Sequence, residues 1–408
     1  MRNRILAVTA AILASTGGTA LAQQDLRGTG VEERTRPDYD PAGIRAGTFL
    51  VRPSVTVAGQ YDDNIFADDA GAVDDYVIIV QPRLNITSDW GRHALNFRTG
   101  AELARYQDFE SEDYDDFHVG ADGRLDVGTD YAATGGLQYS RQHEDRGSPN
   151  DVNGAEPTEF DLTSASVGFA KGVTRINGRV RAEYQGFDFE DVRGLANTVI
   201  DQDNRDRDVW GLGGRVGYEV RPGFNAFVDG ALNWVEYDNS PLRDSDGYRV
   251  SFGASIDLGG VTTGEVFAGY RAQDYDNPAF EDIDGFTYGA SVLWLPTGLT
   301  SVRFSLVNEV AETIQASSPG FVRSAIGVEV DHELLRNVIL GGEVRYTNDD
   351  YERIPRKDDV WQYALGARYL ITRNFSVGGE WRHTDRGSNA AGQDYKRDLV
   401  TLRVTAAL

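Results

Sequence analysis

Charged side chains recur at every second position of many apolar segments of this chain, and arginine together with glutamate can hydrogen-bond hydroxyl and carboxylate groups. Arg179, Arg181 and Glu183 form one such set, and Ile176 and Val180 occupy the opposite parity of the same segment. A period of two is that of a β-strand whose two faces meet different surroundings. The polar faces therefore predict either a wall that is solvated and paired across strands, or a surface that binds and selects hydrophilic solutes.

The segment from Asp246 to Gly260 shows the same alternation over its whole length. Its even positions are apolar from Tyr248 to Leu258, whereas Arg249 and Asp257 stand among the small and polar residues of the odd positions. A chain that repeats this pattern without helices or a covering sheet needs another apolar partner for the oily face. Lipid meets this need, so the pattern predicts transmembrane strands.

About 18 alternating segments follow one another between residues 47 and 408. Short joints such as 221–223 and 296–298 alternate with long, acidic joints such as 143–158 and 188–207. The predicted fold class is all-β: a transmembrane antiparallel up-and-down β-barrel with short periplasmic turns and long acidic extracellular loops. A propeller would instead group its strands in fours. A two-layer sandwich would not alternate charged and apolar residues so regularly on single strands.

The N-terminal part of the chain precedes this repeat. Residues 1–22 have a basic start, an apolar core and a small-x-small cleavage site at 20–22, as in a secretory signal peptide. Residues 23–46 are rich in charge, Pro and Gly without a period, which is typical of a flexible periplasmic tail. We therefore expect a signal peptide, then the tail, then a barrel over 47–408 in the outer membrane of a Gram-negative bacterium.

The composition argues against several classes of protein. The chain has no cysteine, so neither disulfides nor thiolate metal sites stabilise it. Its formal net charge is −24, which argues against nucleic acid as a partner because the phosphates would be repelled. After residue 22 no stretch approaches the roughly 20 apolar residues of a spanning helix, so any membrane insertion uses strands.

A barrel of about 18 strands is wide enough for an aqueous lumen. Charged residues of the inward parity are then candidates for a selectivity or sugar-binding surface, with a solvated and internally paired wall as the alternative. The candidates are Arg98, Glu102, Arg124, Arg179, Arg181, Glu183, Arg249, Glu265, Arg271, Arg323, Glu343, Arg345, Arg368, Glu380, Arg382 and Arg403.

Two histidines have an acidic neighbour two residues away, where a barrel protease would carry an Asp-His pair. They are His143 with Asp145 and His383 with Asp385. Catalysis by such a pair needs a nucleophile, and no serine-centred motif accompanies either histidine. We therefore expect no enzyme and no cofactor.

The acidic stretch after the first strand contains weak candidates for a cation site. They are Asp62, Asp63, Asp68 and Asp69, whose oxygens suit Ca²⁺ or Mg²⁺. The alternative is a set of solvated loops that divalent ions bridge loosely to lipopolysaccharide. We expect no resident metal.

The predicted barrel begins with three distinctive stretches, RPDYDP at 36–41, GIRAGTF at 43–49 and YDDNIF at 61–66. These residues resemble the start of the outer-membrane family called beta-barrel porin 2. The resemblance implies a barrel associated with exopolysaccharide export, which carries polymer across the outer membrane together with a periplasmic export protein. It implies no catalytic residue.

Three functions follow as hypotheses. The first is a channel for a hydrophilic solute, in particular a polysaccharide; the second is a general diffusion porin, which a long loop folded into the pore would favour. For that loop the longest candidate is 190–208. The third is an envelope or adhesion barrel without transport. The expected partners are outer-membrane lipid, lipopolysaccharide, the barrel assembly machinery and a periplasmic export protein.

Overall fold

The computed structural model of the protein describes residues 28–172, 175–195, 198–315 and 317–408. The predicted signal peptide lies outside the described residues. Eighteen long strands of the described chain are numbered β1 to β18 in chain order. Their bounds are Phe49–Asp62, Asp75–Ser88, Ala94–Tyr106, Tyr114–Val127, Tyr131–His143, Glu159–Lys171, Ile176–Phe189, Arg207–Arg221, Phe224–Tyr237, Ser245–Asp257, Thr262–Tyr275, Ile283–Thr297, Thr300–Glu312, Gly320–Leu335, Val338–Tyr351, Lys357–Leu370, Phe375–Ser388 and Tyr395–Ala407.

Each long strand pairs antiparallel with its neighbours in sequence, and β1 closes on β18. The closing register sets Ser54 opposite Ala407 and Asp62 opposite Leu399. Closure satisfies the backbone hydrogen bonds at both edges of every long strand, which a chain in lipid requires. The closed antiparallel barrel of 18 strands confirms the predicted fold class.

Connections of two lengths alternate around the barrel, as predicted. Pro222 and Gly223 alone join β8 to β9 at the periplasmic end, whereas residues 190–206 join β7 to β8 at the extracellular end. Gly223 has a φ of 77°, and a Cβ at this position would lie 2.2 Å from the carbonyl oxygen of Asp257. Only glycine therefore fits this tight turn.

The outer surface of the wall is apolar. Val216, Phe252 and Leu402 are 62%, 64% and 69% exposed at mid-strand positions, and their sequence neighbours point to the other side. Exposed apolar side chains in a continuous band fit a lipid environment. No helix among the described residues is long and apolar enough to cross a membrane.

The remaining elements are short. Short 3₁₀ turns span Val31–Glu33, Glu110–Glu112, Asp203–Arg205 and Pro241–Arg243. A strand of three residues, Ile44–Ala46, pairs with the start of β1. Two short strands, Val192–Arg193 and Val199–Ile200, form a separate hairpin in the loop between β7 and β8. The described residues 28–46 thus carry defined structure and contacts, which corrects the expectation of a flexible tail for this part of it.

Candidate functional site

The candidate site is the inner wall of the barrel. Each lumen residue predicted from sequence stands on the parity opposite to the lipid-facing residues of its strand. On β7, for example, Arg179 and Arg181 flank Val180, which is 48% exposed on the outer side. A role of these residues in selecting solutes stays a prediction.

Most of the predicted lumen residues are held by a partner. The contacts are Arg98 with Asp122, Glu102 with Gln81 and Tyr114, Arg124 with Asp126, Arg181 with Glu183, Arg249 with Asp229, Glu265 with Arg215, Arg271 with Asn308, Arg323 with Asp349, Arg345 with Glu343, Arg368 with Glu32, and Glu380 with both Arg382 and Arg403. For these residues, such pairing fits the alternative of a solvated wall whose charges neutralise one another. Arg179 has no hydrogen bond or ion pair within the described part of the chain.

One ionic group of the wall joins strands β8 to β11. Arg215 contacts Asp229 at 3.2 Å and reaches Glu265 with its other guanidinium nitrogens, and Arg249 donates to Asp229 at 2.9 Å. The Arg215 guanidinium also lies 3.7 Å from the centre of the Phe227 ring. Ring and carboxylates together restrict the rotamers of Arg215, so this part of the wall is rigid.

At the extracellular mouth, the loop of residues 144–158 between β5 and β6 folds inward, and we call it the inward loop. Its Arg146 donates to both carboxylate oxygens of Glu112, at 2.7 and 2.6 Å, and the two side chains are 6% and 3% exposed. Glu144 of the same loop accepts two bonds of 3.0 Å from Arg205. Buried bidentate pairs of this kind fix the loop at its base.

The inward loop also reaches the far side of the mouth. Asn150 donates to the backbone carbonyl oxygen of Glu312 on β13 and accepts a bond from the backbone N–H of Ile314, at 3.3 and 3.2 Å. Gly147 O accepts a bond of 3.3 Å from Arg386 on β17. The loop is therefore bound to two other sectors of the wall and narrows the mouth.

The longest candidate for a loop folded into the pore was 190–208, whereas the contacts that cross the mouth come from the shorter inward loop. Val192–Arg193 and Val199–Ile200 of this longest loop form the short hairpin, which packs beside the inward loop, where Ala155 N donates to Arg193 O at 2.6 Å. The choice followed length alone. The buried pairs of Arg146 with Glu112 and of Glu144 with Arg205 hold the shorter loop in its position.

A buried carboxylate of the inward loop lacks a hydrogen-bond partner among the described residues. Both oxygens of Asp151 are in this state, and its nearest cation is Arg146 at 3.7 Å. Burial raises the pKa of Asp151 to about 6, and Glu144 adds to the rise while Arg146 opposes it. The adjoining cavity of about 20 Å³ is room for one water molecule.

At the periplasmic end, residues 28–41 lie against the inner wall, and we call them the N-terminal segment. Val31 is fully buried, and its N–H donates to Ser301 Oγ at 3.0 Å. Arg36 contacts Glu333 at 3.1 Å. Glu32 and Glu33 of the segment form ion pairs with Arg368 at 2.6 Å and with Arg303 at 2.9 Å. The segment thus covers part of the periplasmic opening.

The four weak cation candidates are not brought together as a free cluster. Asp62 is fully buried and accepts two bonds of 3.0 Å from Arg397, which supplies its counter-charge. Asp63 accepts a bond of 2.6 Å from the backbone N–H of Asp398. Asp68 and Asp69 are exposed. Because Arg397 neutralises Asp62, the carboxylate of this weak candidate is already occupied.

Neither histidine contacts the acid that its sequence spacing suggested. His143 Nδ1 lies 3.0 Å from Asp116, and the ring stacks on Tyr114 with a centroid distance of 3.6 Å. His383 Nδ1 lies 3.0 Å from Asp398. Both contacts join neighbouring positions of the barrel wall, and a structural role accounts for them.

Sequence reasoning missed several charged residues that hold the lumen together, among them Arg215, Arg303, Asp349, Arg386 and Arg397. These residues stand on the inward parity of their strands, so the alternation itself contained the signal. The contact of Arg397 with Asp62, in contrast, joins the last strand to the first and depends on closure of the barrel.

With this geometry in place, the chain can be compared with known proteins. The family model described as Putative beta-barrel porin 2 matches residues 36–408. The chain belongs to this family. The match extends the resemblance from residues 36–66 to the whole barrel and places the protein in the bacterial outer membrane. The protein is therefore an outer-membrane β-barrel of the porin-like channel type.

Solved structures with a similar fold include barrels of Pseudomonas aeruginosa. OccK3 (OpdO) is 14% identical with a TM-score of 0.46, over 88% of this beta-barrel porin and 95% of its own chain. OccK1 (OpdK) is 12% identical with a TM-score of 0.48, over 88% and 98%. The siderophore receptor PirA is 9% identical with a TM-score of 0.45, over 90% and 81%. No curated protein matches the chain in sequence.

Proposed function

We propose that this protein is a porin-type channel that passes small hydrophilic solutes through the outer membrane. The observation that carries the proposal is the inward loop, which crosses from Arg146 on one side of the mouth to Asn150 on the other. A barrel of about 18 strands with a polar wall holds an aqueous lumen, and a loop folded into it limits the size of the solute.

The N-terminal segment supports the same size limit. Its ion pairs with Arg303, Glu333 and Arg368 hold it against the periplasmic part of the lumen. A solute that passes both ends without rearrangement must be small. Polar groups along the wall replace the hydration of such a solute during passage.

Planar-bilayer conductance of the purified protein tests the proposal. We expect discrete channels of low conductance for the natural protein, and a several-fold larger conductance when residues 146–156 are replaced by a short glycine linker. The control is a matching replacement in the exposed loop 276–282, which should leave the conductance unchanged. Silence of both the natural protein and the linker variant would support an envelope or adhesion barrel without transport.

Export of a polysaccharide with a periplasmic partner is the second candidate. It is favoured by the N-terminal segment, which stands at the periplasmic end where a partner protein could displace it, and by the association of similar barrels with exopolysaccharide export. A polymer would require the inward loop to move as well. Deletion of the protein should abolish surface polysaccharide on this hypothesis, and unchanged surface polymer would exclude it.

A further inference from the structure

The register of β7 to β11 places arginines on both sides of a gap in the inner wall. One row of directly opposed residues runs Arg181, Gly213, Ala231, Arg249 and Arg271, one from each strand. A Cβ on Gly213 would meet only one atom within 4 Å, a backbone oxygen at 3.9 Å, so the space above it is open. Three strand spacings of about 4.8 Å separate Arg181 from Arg249.

Like charges stand directly opposite each other at both sides of this gap. Arg179 opposes Arg215 across β7 and β8, and Arg249 opposes Arg271 across β10 and β11. Directly opposed like charges destabilise a sheet unless counter-charges are present. Asp229 and Glu265 form ion pairs with Arg215, and Asp229 also forms one with Arg249.

The remaining two arginines of these pairs form no direct ion pair among the described residues, although Glu309 lies within electrostatic range of Arg271. Arg271 contacts the side-chain and backbone oxygens of Asn308, at 2.5 and 3.1 Å. Arg179 is half-buried and, as stated, has neither hydrogen bond nor ion pair among the described residues. A partly desolvated guanidinium next to a second one favours an anion close by.

The wall beneath the arginines is rigid. A second row of directly opposed residues lies four positions along β8 from Gly213. It runs Gly217, Phe227, Gly253, Phe267 and Gly289, so that each ring lies between glycines of the neighbouring strands. A Cβ on Gly253 would lie 2.3 Å from the Phe227 ring, which shows how closely the ring covers the backbone. Arg215 lies on this ring, and its position is thereby set in advance of any ligand.

Other arginines of the same lumen already bind carboxylates brought from elsewhere in the chain. Glu32 and Glu33 of the N-terminal segment pair with Arg368 and Arg303 on the far wall. Arg179 forms no such ion pair among the described residues, and Glu265 and Asp229, which lie within electrostatic range of it, are already bound to Arg215.

We infer that the gap over Gly213 and Ala231, bordered by Arg179 and Arg181 on one side and by Arg249 and Arg271 on the other, is a binding site for a small solute that bears an oxyanion, a carboxylate or a phosphate. The inference deepens the proposed function, on which it rests for its physiological use, by naming the class of solute. Binding itself is measurable without transport.

Isothermal titration of the full-length protein in detergent at low ionic strength tests the site, with succinate and inorganic phosphate as separate probes and glucose as the neutral reference. We expect saturable binding of at least one anion and none of glucose. Arg179→Gln should weaken anion binding by tenfold or more. The probe that binds more tightly distinguishes a carboxylate ligand from a phosphate ligand.

The matched control is Arg345→Gln, which removes one charge from the far wall of the same lumen, where Arg345 has Glu343 as a partner. It should change anion binding less than twofold. Equal weakening by both variants would reduce the effect to overall charge and overturn the site, as would an absence of binding in the natural protein. A silent bilayer recording with intact, Arg179-dependent binding would refute the channel and leave the site standing.

Discussion

Asn150 donates a hydrogen bond of 3.3 Å to the backbone carbonyl oxygen of Glu312 and thereby joins the inward loop to a strand on another side of the mouth. The contact links positions 162 residues apart in the chain. The same asparagine accepts a bond from the backbone N–H of Ile314, so its side-chain amide acts both as a donor and as an acceptor. The width of the mouth therefore depends on side chains as much as on the strand number.

The base of the inward loop depends on Arg146. Substitution Arg146→Ala leaves the buried Glu112 and Asp151 without their cation, and breaking a buried pair in this way costs about 3–5 kcal/mol. We expect the loop to detach and the single-channel conductance to rise. The control Arg193→Ala removes an exposed pair with Glu156, which is worth about 0–1 kcal/mol, and should leave the conductance unchanged.

Docking of the inward loop should weaken as the pH rises from about 4 to about 6. The pKa of Asp151 is raised from 3.8 to about 6 in the folded protein, so the docked loop binds a proton over this range that the free loop does not. A shift of this size is about 3 kcal/mol, favouring the docked loop below pH 4 and lost by pH 6. Asp151→Asn should remove the dependence of conductance on pH in this window. A pH profile identical in both proteins would contradict the assignment.

The N-terminal segment should be released by Arg36→Ala. Arg36 and Glu333 are 9% and 16% exposed, and loss of the arginine leaves a largely buried carboxylate unpaired at about 1–3 kcal/mol. We expect faster proteinase K cleavage between residues 28 and 43 with an intact barrel. Arg45→Ala, which removes a pair with Asp89 that is 63% and 38% exposed, is the control and should not change the rate.

On the outer face of β10, the loss of stability caused by a charged substitution should depend on how deep in the bilayer the residue lies. Phe252 lies at mid-strand and is 64% exposed on the lipid side, so Phe252→Arg should lower the free energy of unfolding in lipid vesicles by about 2–4 kcal/mol. Leu258, beside the periplasmic turn, is 56% exposed, and Leu258→Arg should cost about 0–1 kcal/mol. Equal effects in urea titrations of the two variants would contradict the depth assignment.

Much of the architecture was predictable because the features that define a barrel strand lie within the sequence of that strand. The alternation between Arg249 and Val250, and the position of Pro222 and Gly223 between two such runs, are local features that need no distant contact. The same alternation identified the inward face on which Arg179 and Arg403 stand. It could not identify which of these charges are neutralised, because the partners of Arg215 come from one and three strands away.

The sequence by itself determined the number of strands, which face of each strand meets lipid and which meets the lumen, and the alternation of short turns with long loops. Each of these follows from a period of two and from turn residues. Tertiary structure alone decided which loop narrows the mouth and where the N-terminal residues lie. Asn150 with Glu312, Arg36 with Glu333 and Arg397 with Asp62 are separated by 162, 297 and 335 residues, and no local pattern records such pairs. They form because closure of the barrel brings distant charges into a confined space where each must find a partner.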